Sequence, residues 1–308
     1  MRPASTRSRW SVMVWRGASS SPSCARASAS PRLSASAEPP DPVLARAVPV
    51  RPHARRAHRV RRPRDAHMRH ERELRLAGFE HIAGLDEVGR GSLAGPVVAA
   101  AVILPERHRI KGIRDSKVLT RRRREALYEQ ILDRAEAVAV GLMEVEVIDK
   151  VNILQATKLA MSEAIGRLTS APDHLVIDAL SLPYVDLPQR PIIDGDAISA
   201  SIAAASIVAK VTRDRICAEF DERYPAYGFA VNKGYGTRRH YDALMSEGPC
   251  AWHRRSFAPI KMLLAGTQLP LDLVFDDLPL LDEEEIEPAD DESLEVDPDA
   301  SWRALLVG

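Results

Sequence analysis

Apolar residues recur along this chain in two rhythms, and the changes of rhythm mark out its elements. Residues 82–104 open with Ile82-Ala83-Gly84-Leu85, break at Asp86-Glu87-Val88-Gly89-Arg90-Gly91, and resume in an apolar run from Val97 to Leu104. Apolar runs punctuated by Gly and Pro predict two strands, here joined by a tight connection. The partly alternating, Val-rich stretch Ala137–Ile148 predicts a further strand. His174-Leu175-Val176-Ile177-Asp178 predicts a short buried strand, and Pro191-Ile192-Ile193-Asp194-Gly195-Asp196 repeats its pattern of an apolar run finishing in an acid. Elsewhere the spacing is helical. Residues 69–78 predict a short helix, and Thr120 is a good N-cap for one over about 121–135 with Leu127, Ile131 and Leu132 on one face. Residues 153–168 carry Leu154, Thr157, Leu159, Ala160, Ala164 and Leu168 at helical spacing. A long Ala/Ile-rich helix over about 199–221 looks like buried core, and a short helix follows from His240. Arg109–Lys117 and residues 224–237 predict loops.

Both ends of the chain lack this patterning. Residues 1–70 hold 15 Arg and no Lys against 3 acids, while residues 265–308 hold 1 Arg against 14 acids, so the overall balance of 43 basic and 43 acidic residues conceals two oppositely charged tails. Neither tail can bury enough apolar surface to offset chain entropy, and both are expected to be disordered. The expected division is an Arg/Ser/Ala/Pro-rich extension over 1–68, a folded domain over 69–264 and an acidic tail over 265–308. The extension is best explained by a start assigned too early, with Met68 a natural beginning; a transit peptide and a basic nucleic-acid-binding arm are the alternatives. Cys24, Cys217 and Cys250 are odd in number and show neither metal-ligand nor disulfide spacing, which fits a reducing, cytoplasmic compartment. The longest apolar run, Leu93–Leu104, is too short to span a bilayer.

The chemistry concentrates at strand ends. Asp86 and Glu87 lie where a strand finishes, and because side chains alternate faces only one of them points down a given sheet face. Together they can grip one or two hard cations through oxygen. Asp178 is delivered in the same way. Asp196 lies just before a long helix, where an acid can cap the helix, bind metal, or both. Gly89-Arg90-Gly91 is close to a Gly-rich phosphate turn, but a dinucleotide loop would need a helix directly after Gly91, and a Pro96-containing, Val-rich strand stands there instead. Lys233-Gly234-Tyr235-Gly236-Thr237 places an aromatic between glycines beside a cation, which suits a ring stacked on a sugar or base, or equally a loop Tyr packed on the core. Arg121–Arg124 reads as a solvated helix face in preference to a nucleic-acid contact. Lys210, Arg213 and Arg215 are candidates for phosphate or salt-bridge contacts.

These blocks together resemble the ribonuclease HII family. The resemblance runs from the Ile82–Leu104 stretch through Asp115-Ser116-Lys117, Ile153–Thr157, Gly195-Asp196-Ala197, Ser199–Arg215 and Lys233–Thr237 to His253–Pro259, roughly residues 78–260. It implies an α/β protein with a ribonuclease H-like fold, a central mixed β-sheet flanked by helices, and a helical C-terminal extension. It implies a monomeric endonuclease that cleaves the RNA strand of RNA–DNA hybrids to leave 5′-phosphates. The same activity would incise ribonucleotide-containing duplex DNA in ribonucleotide excision repair. The cofactor implied is Mg²⁺ or Mn²⁺, two ions held by Asp86, Glu87, Asp178 and Asp196. Gly89, Arg90 and Gly91 would read the 2′-hydroxyl that separates RNA from DNA. Tyr235 would stack on the neighbouring sugar, and Ser116, Lys117, Lys210 and Lys233 would contact phosphates. Val118, Asp194 and Ile198 stand where the family usually carries Lys, so weaker substrate binding is expected. Gln268-Leu269-Pro270-Leu271-Asp272-Leu273 resembles the peptides by which bacterial repair proteins bind the sliding clamp, though so short a pattern also arises by chance. A non-catalytic nucleic-acid-binding relative, or a nucleotide-binding protein using the Gly-Arg-Gly turn, is the alternative reading.

Overall fold

The computed structural model describes residues 65–267. The expectations for the basic extension, for nearly all of the acidic tail and for the clamp-like Gln268–Leu273 segment lie outside the described residues.

Strands β1 (Ile82–Val88), β2 (Val97–Ile103), β3 (Ala137–Met143), β4 (His174–Asp178) and β5 (Gln189–Ile192) form one sheet in the order β3-β2-β1-β4-β5. The first three pair antiparallel, and β4 and β5 add to β1 in parallel, so the sheet is mixed as expected. The parallel step from β1 to β4 is a long connection that includes the helices α2 (Arg121–Arg134), α3 (Val145–Val151) and α4 (Ile153–Gly166), while α1 (Arg69–Leu76) precedes the sheet and α5 (Gly195–Ile198) and α6 (Ala200–Arg223) follow it. The short α7 (Phe229–Asn232), then α8 (Arg238–Glu247) and α9 (Ala258–Leu264), make up the helical C-terminal extension. Among the described residues, no helix is long and apolar enough to cross a membrane.

Strand alternation sorts the core into two layers. Ala83, Leu85, Ala99, Ala101 and Ile177 face the layer of α4, with Ala156, Ala160, Met161 and Ala164. Val98, Ala100, Val102 and Val140 face that of α6, with Ala204, Ile207, Val208 and Val211. Both helices lie very close to the sheet, and each does so over a glycine. A Cβ at Gly84 would stand 2.2 Å from the Ser201 carbonyl carbon, and one at Gly141 would stand 2.0 Å from the Ala160 oxygen. α6 is therefore seated directly over β1, and its N-cap Ser199 accepts from the Ile202 N–H. Buried Glu71 on α1 reinforces this seat, accepting from the Ser199 hydroxyl at 2.7 Å and the Ser201 N–H at 2.9 Å.

Thr120 caps α2 as expected, its hydroxyl accepting from the Arg123 N–H. Other expectations need correction. The connection from β1 to β2 is not tight but spans the eight residues 89–96. The strand expected over Ala137–Ile148 ends at Met143, and α3 starts at Val145. The Glu144-Val145-Glu146-Val147 alternation imitates a strand, but the buried pair is Val145 and Ile148, three apart, which is helical spacing. On α4 the buried face is Ala156, Thr157, Ala160, Met161 and Ala164, while Leu154 and Leu159 are exposed. The loop expected over 224–237 contains a 3₁₀ turn at Pro225–Tyr227 and the helix α7.

Candidate active site

Register brings the acids together. Leu85 pairs with Ile177 across the parallel β1–β4 ladder, so the next residues, Asp86 and Asp178, stand side by side at the carboxyl ends of adjacent strands. Both share the strand face of Gly84 and Val176, which is the face under α6, while Glu87 takes the opposite parity. Asp86 is 6% exposed. Its Oδ1 accepts from the Glu87 N–H at 2.8 Å, and the Ser206 hydroxyl on α6 favours its charged form. Ser206 in turn lies 2.9 Å from the Ser116 hydroxyl, so a hydroxyl chain links Asp86 to the Asp115-Ser116-Lys117 segment. Asp178 Oδ1 accepts from the Gly195 N–H at 2.8 Å. That bond ties β4 to α5, which carries Asp196. Of the two roles open to Asp196, capping the long helix is not the one it takes: it lies within the separate turn α5, and Ser199 is the cap of α6. Lys117 Nζ lies 3.6 Å from Asp196 Oδ2, and Arg90 Nη1 donates to Glu87 Oε1 at 2.9 Å.

The acids disturb one another. Burial pushes the Asp86 carboxyl well above the ordinary range, and the Glu87 and Asp178 charges add to this. Glu87 is raised by burial and by Asp178 against the opposing pull of Arg90. Asp196 is raised by burial and by Asp115 and Asp178, with Lys117 opposing. The counter-charges are thus two side chains that lean in from solvent, and Glu87 Oε2 is buried without a hydrogen-bond partner. An all-oxygen donor set, short of positive charge and with one bare buried oxygen, fits a hard divalent cation such as Mg²⁺ or Mn²⁺. Among the described residues, no three His, Cys, Asp or Glu side chains are already closed on a single point. Like charges are expected to hold apart in this way until a cation draws them in.

These shifts have a measurable consequence. For Asp86, the folded chain holds its proton more tightly than the unfolded chain, which titrates near 3.8. The stability this group contributes is therefore full below that value and is lost as pH rises through the folded value. In chelator, Asp86→Asn should gain stability over wild type as pH rises from about 4 toward neutrality. Thermal melts of both proteins across pH check this, and a difference that stays flat with pH contradicts it.

The remaining sequence candidates divide into two groups. Gly89, Arg90 and Gly91 begin the connection beside Glu87, and a Cβ at Gly91 would lie 4.0 Å from the Tyr235 ring, so Tyr235 faces this turn. His240 Nδ1 lies 2.8 Å from the Tyr235 carbonyl and helps seat that loop. Ser116 and Lys117 approach the acids, as described. Lys210 and Lys233 instead gather around buried Asp214. Lys210 bonds it at 2.7 Å, Arg124 lies 3.8 Å away, and Lys233 donates to the Ala230 carbonyl. The expected solvated face Arg121–Arg124 holds for its first three residues only. Arg124 is buried and donates to the Ser116 and Leu119 carbonyls.

Sequence reasoning missed Ser206, whose only signal is a hydroxyl interrupting an apolar helix. It also misread Arg213, offered above as a phosphate or salt-bridge contact. Arg213 is fully buried and donates to the Pro96, Lys233 and Ala94 carbonyls and to the Ser92 hydroxyl. Arg254 falls in the last block of the resemblance, but nothing in the sequence pattern assigned it a role.

Comparison with known proteins gives a consistent result. The family model described as Ribonuclease HII matches residues 83–260. The chain is 56% identical over 200 residues to a ribonuclease HII of Desulfitobacterium hafniense, covering 65% of this chain and 77% of the relative. It is 51% identical over 213 residues to one of Geobacillus kaustophilus, covering 69% and 82%. The crystal structure of ribonuclease H2 from Pyrococcus horikoshii superposes with a TM-score of 0.50 at 27% identity, covering 60% of this chain and 97% of that one.

Proposed function

The chain belongs to the ribonuclease HII family, a ribonuclease H enzyme acting on the RNA of RNA–DNA hybrids, and on that premise we propose that it also incises duplex DNA at single embedded ribonucleotides. We assign Asp86, Glu87, Asp178 and Asp196 as the ligands of two divalent cations, Mg²⁺ or Mn²⁺. The observation that carries this reading is the pairing of Asp86 and Asp178 at the ends of adjacent strands, with the bare Glu87 Oε2 and a glycine-flanked turn alongside. Bound divalent cations supply an activated water, neutralise phosphate charge and stabilise the leaving oxygen.

The chain's own groups orient the substrate. The Ser206 hydroxyl and the Glu87 amide hold the Asp86 carboxylate, and the Gly195 amide holds that of Asp178. The Gly89-Arg90-Gly91 turn reads the ribose 2′-hydroxyl, where the absence of side chains on both glycines lets backbone approach closely. Arg90, 45% exposed at its side chain, is free to turn its guanidinium to a phosphate. Tyr235 stacks on the adjoining sugar. Lys117 meets the backbone near the acids. Lys210 and Lys233 meet it farther along, from the cluster around Asp214, and Ser116 supports the cut from beneath through its hydroxyl chain.

Residues 69–264 act as the catalytic domain, as a monomer in the cytoplasm. Cys217 and Cys250 are both free thiols, in keeping with that compartment. A sliding clamp engaging Gln268–Leu273 is the proposed partner besides nucleic acid.

The test is a duplex DNA bearing one ribonucleotide. Wild type with Mg²⁺ should cut it at the ribonucleotide and leave the all-DNA duplex intact, and in chelator it should cut neither duplex. Equal cutting of both duplexes, or cutting in chelator, refutes the proposal.

A further inference from the structure

Two guanidiniums lie fully buried beneath the β1–β2 connection, and among the described residues no carboxylate hydrogen bonds to either. Their partners are backbone carbonyls. Arg254 donates to the Gly89 oxygen at 2.6 Å, the Arg90 oxygen at 3.0 Å, and the Gly95 oxygen at 2.8 and 3.0 Å. Arg213, on α6, donates to the Pro96 oxygen at 3.0 Å, the Ala94 oxygen at 3.0 Å and the Ser92 hydroxyl at 2.7 Å. Its Nη1 donates to the Lys233 oxygen at 2.8 Å, which joins the connection to the loop that carries Tyr235. Ser92 closes the ring by donating to the Gly89 oxygen at 3.0 Å. The glycines of the connection are shaped to this packing. Gly89 has φ +90°, and a Cβ there would stand 2.2 Å from Arg213 Nε. Gly95 has φ +82°, and a Cβ there would stand 2.8 Å from the Trp252 ring.

Peptide geometry turns this arrangement into a statement about the outer surface. Every peptide bond among the described residues is trans, so each carbonyl drawn inward turns the next residue's N–H outward. The Gly89 and Arg90 carbonyls point to Arg254, hence the Arg90 and Gly91 N–H groups point away from it. Among the described residues, neither N–H meets a protein acceptor. Farther along the connection, Leu93 and Ala94 donate to the Gly234 oxygen, and Gly95 donates to the Trp252 oxygen. Two adjacent free donors therefore face out beside Glu87 and Tyr235.

We propose that Arg213 and Arg254 are positioning residues for ribose recognition, which hold the Arg90 and Gly91 amides outward as a fixed pair of donors for the 2′-hydroxyl. The proposal deepens the reading of the Gly-Arg-Gly turn given above and rests on it. It concerns selectivity for ribose over deoxyribose, a property that packing alone does not set.

The test is Arg254→Lys. A lysine ammonium is a point donor and cannot reproduce the planar fork that reaches three carbonyls. Binding is measured in chelator to two duplexes that differ only in one ribonucleotide. Wild type should prefer the ribonucleotide duplex. Arg254→Lys should lose that preference by roughly tenfold, as expected when one or two hydrogen bonds to the ribose go, while still melting cooperatively. Its affinity for the all-DNA duplex should stay within about twofold of wild type, since deoxyribose offers no 2′-hydroxyl to lose. A wild type that binds both duplexes equally overturns the ribose reading beneath the proposal. A discriminating wild type alongside an equally discriminating, folded Arg254→Lys overturns the positioning role alone. Should Arg254→Lys fail to fold, Ser92→Ala carries the same test. It removes the hydroxyl that accepts from Arg213 and donates to the Gly89 oxygen, and a ribose preference equal to wild type would overturn the proposal.

Discussion

Asp86→Asn is expected to reduce hydrolysis of the RNA strand by about 10³-fold or more, because a carboxylate that holds a catalytic cation contributes several kcal/mol and each 1.36 kcal/mol is a factor of ten. The substitution keeps the shape of the side chain and an oxygen able to accept from the Glu87 N–H. What it removes is one negative charge at the most deeply buried acid of the cluster. The loss should therefore appear in kcat, with substrate affinity in chelator nearly unchanged. It should also coincide with the gain in stability described above, since in the absence of metal that buried charge is a cost to the fold. A residue that serves packing alone would not lose activity and gain stability together. Single-turnover cleavage of a hybrid by both proteins, alongside melts in chelator, checks the pair of effects.

Gly84→Ala should have the largest effect on folding. A Cβ there falls 2.2 Å from the Ser201 carbonyl carbon and 2.5 Å from the Ile202 nitrogen, both backbone atoms of α6, so no side-chain rotation relieves the clash. Either α6 lifts from β1 or the strand bends, at an expected cost of about 3 kcal/mol or more, the upper end for overpacking. That is a large part of the 5–15 kcal/mol typical of a whole domain. α6 carries Ser206 and Arg213, so any protein that still folds should also cut poorly. Gly166→Ala is the matched control. Nothing lies within 4 Å of a Cβ at that site in the last turn of α4, and the change should be neutral or mildly stabilising. Urea midpoints of the two variants against wild type decide the matter.

The acids were legible in the sequence because strand physics exposes them. An apolar run that must be buried, followed at once by Asp86 or Asp178, announces a strand whose end carries a carboxylate, and the mixed sheet places the two ends together. Several of the blocks that resemble ribonuclease HII, such as Asp115-Ser116-Lys117 and Gly195-Asp196-Ala197, likewise sit where elements begin. Local pattern failed where two periods coincide. Glu144-Val145-Glu146-Val147 reads as alternation and folds as helix, because burial follows Val145 and Ile148. It failed again at Asp196, where a four-residue turn precedes the long helix and takes the acid for itself. It could not find the work of Arg213 and Arg254, since a basic residue in sequence looks like a solvated one. Only the tertiary structure shows that their partners are carbonyls of a segment more than 100 positions away. Lys233 likewise reads as an exposed phosphate contact, yet it lies half-buried near Asp214.

The most direct measurement is anomalous diffraction from crystals soaked in Mn²⁺ together with a hybrid in which the scissile bond resists cleavage. The account predicts metal density coordinated by Asp86 together with at least two of Glu87, Asp178 and Asp196, with the scissile phosphate in contact. Metal density away from these carboxylates, or a phosphate seated without metal, would contradict it.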